Sequence, residues 1–414
     1  MKVAIITCSG AQSYGAVLQT YATQKFVEKL GHTAEIINYS PEYVVKSHKV
    51  LYIGDDKYKR NIFVRIAYLL YTGPSRFKRK RMFHKFLNRF IHFGKKVFVT
   101  NEELNNCTPV ADVYICGSDQ IWNINFPNGT DPAYYLGFVK GKPKYSYAAS
   151  MALQKDAIPF SFYKFLSERL ADFSGISVRE DIAVDIIQPY VKQKIEHVLD
   201  PVFLLDVEDW DKLESSAEST LKNEGYILMM PMGDGLNVHK TAIKYKEKMG
   251  LPLYNITFSQ KRVAGVDKCF NACSPQMFLR LIKNAKLVVT NSFHGTAFSI
   301  IYNRNFICCQ IPGTSSRIES LLRSFSMEDH MIQNDDIRSV NYMKMGENYN
   351  QFELTKSQEH TCLIYVEIVI SYDFSIVIPF YFGMDVFAGS SIYGQDVYGR
   401  LLGTFCILSY CIFL

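Results

Sequence analysis

Paired CxxC motifs, a long uninterrupted apolar run and any cluster with metal-ligand spacing are missing from this chain, and each absence removes a class of protein. The ten cysteines are scattered, with Cys8, Cys116, Cys308 and Cys309 in apolar runs, and lack the regular spacing of a secreted disulfide scaffold. Cys269 and Cys273 stand four apart with no second pair or nearby histidine to complete a zinc set, so they read as reduced thiols and no metal is expected. The first residues, Met-Lys-Val-Ala-Ile-Ile-Thr-Cys, read as a strand rather than a basic leader with an apolar segment behind it, which predicts a cytoplasmic protein. Acidic residues are absent from 57–96, where thirteen Lys or Arg are interleaved with aromatic and aliphatic residues. The net charge of +6 is concentrated there, and with no recognisable binding module beside it no nucleic-acid partner is expected.

What is present is globular: 48% hydrophobic and 21% charged residues suit packed cores rather than disorder. A chain of 414 residues is too long for one ordinary core and predicts two domains. Short apolar runs at 3–8, 34–39, 111–116, 144–150, 175–178 and 197–205 alternate with helical stretches. A second series follows at 226–231, 253–258, 287–290 and 306–311. The pattern is α/β, two Rossmann-like domains facing a cleft. We place the first at 1–205, with a basic helical insertion at about 53–100, the second at 206–330, and an atypical tail at 331–414. The opening helix should bury Leu18, Ala22, Phe26 and Leu30 and stop at Gly31. Its preceding loop holds Gly10 and Gly15 but not G-x-G-x-x-G, which is weak evidence for a dinucleotide.

The focal stretch is 287–300. A β-branched apolar run there stops at Thr290-Asn-Ser-Phe-His-Gly-Thr296 before a helix begins. Backbone N–H groups, hydroxyls, an imidazole and the positive end of a helix dipole then meet in one place, which is a site for an anion. The same design recurs at Gly117-Ser-Asp-Gln120 and at Arg179. The basic segment 57–96 is expected to form two helices broken at Gly73-Pro74, each with an apolar and a basic side, either lying on an anionic membrane surface or packed as a hairpin.

Six stretches in order resemble the polysaccharide pyruvyl transferase family: Tyr14-Gly-Ala-Val-Leu-Gln19, Gly117-Ser-Asp-Gln-Ile-Trp122, Ser146-Tyr-Ala-Ala-Ser150, Ser177-Val-Arg-Glu180, Leu199-Asp-Pro201 and Thr290-Asn-Ser-Phe-His-Gly295. The resemblance implies a fold similar to B-type glycosyltransferases and transfer of a pyruvyl group from phosphoenolpyruvate to two hydroxyls of a sugar, giving a ketal. Phosphoenolpyruvate would be a co-substrate, with no other cofactor. The acceptor would be a sugar or polysaccharide, free or lipid-linked. On this reading His294 is the acid or base and Arg179 the anion clamp. Thr290, Ser292 and the backbone after Gly295 hold the phosphate, Ser13, Tyr14, Asp119 and Gln120 face the acceptor, and Gly15 and Asn291 belong to the same substrate-binding set. The chain has Gln12-Ser13 where the family usually has asparagine, and its pattern fades after about 330, where a helical finish packing back on the first domain is expected near 317–325.

From 362 to 414 the chain is aromatic and apolar with one basic residue, Arg400, and its last apolar piece, 401–414, is too short to span a bilayer. We read that tail as foreign to the family. Competing readings of the whole are a nucleotide-sugar-dependent glycosyltransferase of the same architecture and a non-catalytic carbohydrate-binding protein.

Overall fold

Two parallel sheets carry the chain in the computed structural model, which describes residues 1–332 except 47–48, 60, 219–220, 222–224, 234 and 311–314. The tail expected at 362–414 lies outside the described residues. Strands β1 (Lys2–Ile6), β2 (Thr33–Tyr39), β3 (Phe93–Phe98), β4 (Val113–Cys116), β5 (Lys144–Ala149), β6 (Gly175–Val178) and β7 (Ile195–His197) form one sheet in the order β3-β2-β1-β4-β5-β6-β7. Strands β8 (Ile227–Met230), β9 (Leu253–Ile256), β10 (Lys268–Phe270), β11 (Leu287–Thr290), β12 (Phe306–Cys309) and β13 (Met331–Ile332) form the other in the order β10-β9-β8-β11-β12-β13. Both orders are of Rossmann type, and in each the direction of winding reverses once, between β1 and β4 and between β8 and β11. Those two switch points are where loops splay apart and leave a crevice. Helices on both faces explain why β4, β8, β11 and β12 are buried along their whole length.

The helix Tyr14–Lys29 joins the halves. Of its expected stripe Leu18, Ala22 and Phe26 are buried and Leu30, at the cap, is half-buried; Tyr14, Tyr21 and Gln24 are buried too, because the outer side of the helix is covered by the second half. Tyr14 stacks on Phe278 with ring centroids 4.7 Å apart, Tyr21 meets Trp210 at 5.9 Å, and Trp210 meets Phe298 at 4.9 Å. One apolar cluster therefore runs through both halves. At the far end the helix Ser316–Ser324 packs back on the first half, as expected, with Arg323 paired to Asp181 at 2.7 Å.

Three local readings are corrected. The segment 57–96 does not form two helices: Ile62–Phe90 is one helix with Pro74 inside it, and β3 follows. Pro74 removes one backbone donor, but Arg76 just beyond it ties the helix to the carbonyl of Tyr52 and, at 2.8 Å, to the Tyr68 hydroxyl. The run 197–205 is not a strand. β7 stops at His197, and Pro201 opens a 3₁₀ turn, Pro201–Leu204, whose first free amide, that of Val202, donates to the Asp200 carboxylate at 3.1 Å. The expected strand 306–311 ends at Cys309; Ile311 is outside the described residues.

Candidate active site

Both switch points open onto one cavity of about 180 Å³. From the first half come Ser13, Tyr14 and Gly15 after β1 and Asp119 and Gln120 after β4; from the second come Met230 to Met232 after β8 and Asn291 to His294 after β11, with Phe258 and Arg317 closing the ring. The loops after β1 and β4 are tied together beneath it. Gln19 donates to the Thr7 hydroxyl at 2.8 Å, and Thr7 donates to the carbonyl of Ser118 at 2.9 Å. Asp119 sits at φ 76°, in the left-handed region, and its carboxylate accepts from the Gln120 amide at 2.8 Å. A non-glycine held there is a strained position of the kind that functional loops retain.

His294 is positioned by glycine. A Cβ on Gly15 would fall 2.0 Å from the imidazole Nδ1, so only a residue without a side chain lets the first half approach the histidine of the second. Gly295 is equally constrained, since a Cβ there would meet Met230 at 2.5 Å and the Thr290 hydroxyl at 2.9 Å. On its other edge His294 Nε2 lies 3.7 Å from Asp200 Oδ2. That distance is an electrostatic contact rather than a hydrogen bond, and Nε2 has no hydrogen-bond partner. Burial pushes the imidazole below its ordinary value, against the pull of Asp200, so it is neutral at pH 7.

Asp200 is the hub behind the histidine. Its Oδ2 accepts from Ser118 Oγ at 2.9 Å and Arg179 Nη1 at 2.6 Å, with both charged side chains almost fully buried. Burial alone would raise the carboxyl; His294 in its protonated form and Arg179 outweigh it and hold it below its ordinary range. Arg179 also faces Glu180 at 3.4 Å and lies over the Phe293 ring at 4.2 Å.

Arg317 is the cation that faces the cavity. Its Nε is buried without a hydrogen-bond partner, and burial, helped by the neighbouring charge of Arg179, brings it down to about 10. A guanidinium in that condition gains from an arriving anion. The helix Phe293–Ile301 points its first turn at the same space. The Ser292 hydroxyl caps it by accepting from Gly295 N at 3.3 Å, which leaves the amides of Phe293 and His294 as the outermost donors.

A family model described as polysaccharide pyruvyl transferase matches residues 14–311. The chain belongs to this family. No curated protein matches it. Among solved structures it is similar to the UDP-GlcNAc 2-epimerase of Methanocaldococcus jannaschii in complex with UDP-GlcNAc and UDP, at 15% identity and a TM-score of 0.49 over 88% of this chain and 99% of that one. It is also similar to the Streptomyces glycosyltransferase SsfS6 complexed with thymidine diphosphate, at 10% identity and 0.46 over 89% and 99%. The Escherichia coli heptosyltransferase WaaC with ADP stands at 11% and 0.39 over 87% and 100%.

In this pyruvyl transferase family member, eight of the residues singled out from sequence, Ser13, Tyr14, Gly15, Asp119, Gln120, Asn291, Ser292 and His294, line the one cavity. Several have groups already engaged. The Tyr14 hydroxyl donates to the Cys273 carbonyl at 3.2 Å, and the Asn291 amide is bound on both sides to the backbone of Met232, at 2.6 and 3.0 Å. Thr290 and Gly295 stand behind the lining, the Thr290 hydroxyl donating to the Met230 carbonyl at 2.8 Å. Arg179 does not line the cavity either: its Nη1 and Nε turn to Asp200 and Glu180, and its Nη2 is buried without a hydrogen-bond partner. Asp200 and Arg317 were not singled out as site residues. Asp200 carries a signal, the Leu-Asp-Pro stretch at a strand end, whereas Arg317 looks in sequence like any helical arginine.

Proposed function

We propose that the chain moves a pyruvyl group from phosphoenolpyruvate to two hydroxyls of a sugar in a cell-surface polysaccharide or its lipid-linked precursor, forming a cyclic ketal. The observation that carries this reading is the meeting of a buried, incompletely partnered Arg317 with a neutral His294 on one cavity at a helix N-terminus. Phosphoenolpyruvate is a compact anion with two negative groups. Arg317 and the amides of Phe293 and His294 receive them.

In the first step His294 accepts the proton of one sugar hydroxyl as its oxygen bonds to the central carbon of phosphoenolpyruvate, and the imidazolium returns that proton to the methylene carbon, which becomes a methyl. In the second step the other hydroxyl oxygen displaces phosphate from the same carbon, and its proton leaves with the phosphate. Asp200 stabilises the transient imidazolium, and Arg179 keeps Asp200 ionised, so both act through His294. Asp119 and Gln120 line the same cavity and, on this reading, meet the sugar hydroxyls that reach His294.

The long helix Ile62–Phe90 supplies an argument for where the acceptor is met. Phe63, Leu70 and Phe77 are 77%, 73% and 61% exposed among its cations, a pairing that suits an anionic membrane surface carrying a lipid-linked acceptor. No described helix is long and apolar enough to cross a membrane.

The test is phosphate release from phosphoenolpyruvate in the presence of lipid-linked and free oligosaccharides, with the ketal methyl followed by proton NMR. Release coupled to a new methyl signal, lost in His294→Ala, is expected. Consumption of a nucleotide sugar instead of phosphoenolpyruvate would replace this reading with a glycosyltransferase.

A further inference from the structure

A second and larger cavity, about 530 Å³, lies between the long helix Ile62–Phe90 and the 258–261 loop that follows β9. It meets the first at Phe258, which lines both. Arg79 from the long helix lies over the Phe258 ring at 4.4 Å. Beside it Tyr71 Oη donates to the Gln260 carbonyl at 2.9 Å, and the Gln260 amide donates to the Ser75 hydroxyl. The basic insertion of the first half thus grips a loop of the second and borders a half-open space next to the candidate active site.

The lining of that space has a definite chemistry. Tyr71 offers an exposed aromatic ring, while Tyr58 and Tyr68 stack on each other at 4.3 Å with Lys57 and Arg76 over their rings. The Thr72 and Ser75 hydroxyls donate to the carbonyls of Tyr68 and Thr72, at 2.8 and 3.1 Å, and the Gln260 amide donates to Ser75, so these side chains keep only oxygen acceptors for a ligand. Lys57, Arg76 and Lys261 stand against one carboxylate, Asp55; Lys57 is paired with it at 2.8 Å and Arg76 is tied to the Tyr52 carbonyl and the Tyr68 hydroxyl, which leaves Lys261 as the cation for a ligand's acid. The Tyr71 ring suits the apolar C–H face of a pyranose, the remaining oxygen acceptors suit its hydroxyls, and Lys261 suits an acid carried by it.

We propose that this second cavity is the acceptor subsite and that it holds an anionic saccharide, placing the sugar to be modified past Phe258 towards His294. This rests on the pyruvyl-transfer reading for what the sugar is for, but not for its binding. The cavity next to His294 has about 180 Å³ and the second about 530 Å³, so the division of room matches a compact donor and a larger acceptor.

The experiment is saturation-transfer NMR on the full chain with two probes, a neutral disaccharide (lactose) and an unsaturated hyaluronan disaccharide bearing a hexuronate. Wild type is compared with Lys261→Glu and Tyr71→Ala, both at exposed positions, and phosphoenolpyruvate binding is measured on the same samples by calorimetry. The hexuronate disaccharide is expected to receive saturation from wild type, at least fivefold more than lactose, and to lose it in both variants while phosphoenolpyruvate still binds them. Absence of transfer to the hexuronate probe, equal transfer to lactose, or transfer unaffected by both substitutions would overturn the proposal. Loss of phosphoenolpyruvate binding in wild type with saccharide binding intact would instead remove the donor reading and leave the subsite standing.

Discussion

Gly15 and His294 form a pair across the two halves of the molecule, and neither can be understood alone. Adding one methyl at residue 15 puts a carbon where the imidazole is, so Gly15→Ala is expected to cost about 1–3 kcal/mol by overpacking and to abolish turnover. Because the clash is with one side chain, Gly15→Ala/His294→Ala should recover most of the stability without recovering activity. Urea denaturation of the single and double variants checks this; additive losses would contradict it. Titration of the same histidine follows from its burial. Its folded value lies below the ordinary 6.5, so as pH falls the unfolded chain takes up the proton first. The stability that the neutral imidazole contributes is fully present above about pH 6.5 and is lost as pH falls through the lowered folded value. Asp200, also held low, adds a loss of the same sign deeper in the acid range. Activity should decline on the acid side, where the base becomes protonated, and His294→Gln should flatten the stability loss just below pH 6.5 when both proteins are unfolded across pH.

Most strand-to-helix elements were legible because their signals are local. An apolar run that stops at hydroxyls and glycine says where β11 ends and its helix begins, and eight of the proposed site residues lie at such ends. The failures have equally local causes. Gly73-Pro74 reads as a break, yet neighbouring turns and the Arg76 contacts carry one helix through it. β3 was hidden by its lysines, Lys95 and Lys96, exposed on the edge strand of the sheet. The run 198–205 is apolar because it enters the core shared by both halves, not because it is extended. Pro74 supplies a prediction at this scale. It is exposed and interior to the helix, so Pro74→Ala restores a backbone donor and should stabilise the protein by up to about 3 kcal/mol. A fall in melting temperature would show that the helix needs its proline.

At the scale of the whole molecule, what sequence could not disclose is the pairing of parts far apart in the chain. Arg179 sits at a strand end, as a clamp should, but its partner Asp200 comes from the loop after β7 and turns it inward. Arg317, more than a hundred residues further on, then occupies the cavity in its place. The two halves share one apolar cluster through the helix Tyr14–Lys29, so the site is assembled only when both are folded. The account's central claim is that this shared cavity binds phosphoenolpyruvate through Arg317 and processes it through His294. Calorimetry of phosphoenolpyruvate with wild type, Arg317→Ala and His294→Ala tests it most directly. Binding by wild type, a loss of at least tenfold in affinity for Arg317→Ala and near-normal affinity for His294→Ala is the predicted result; absence of binding to wild type, or binding indifferent to Arg317, would contradict it.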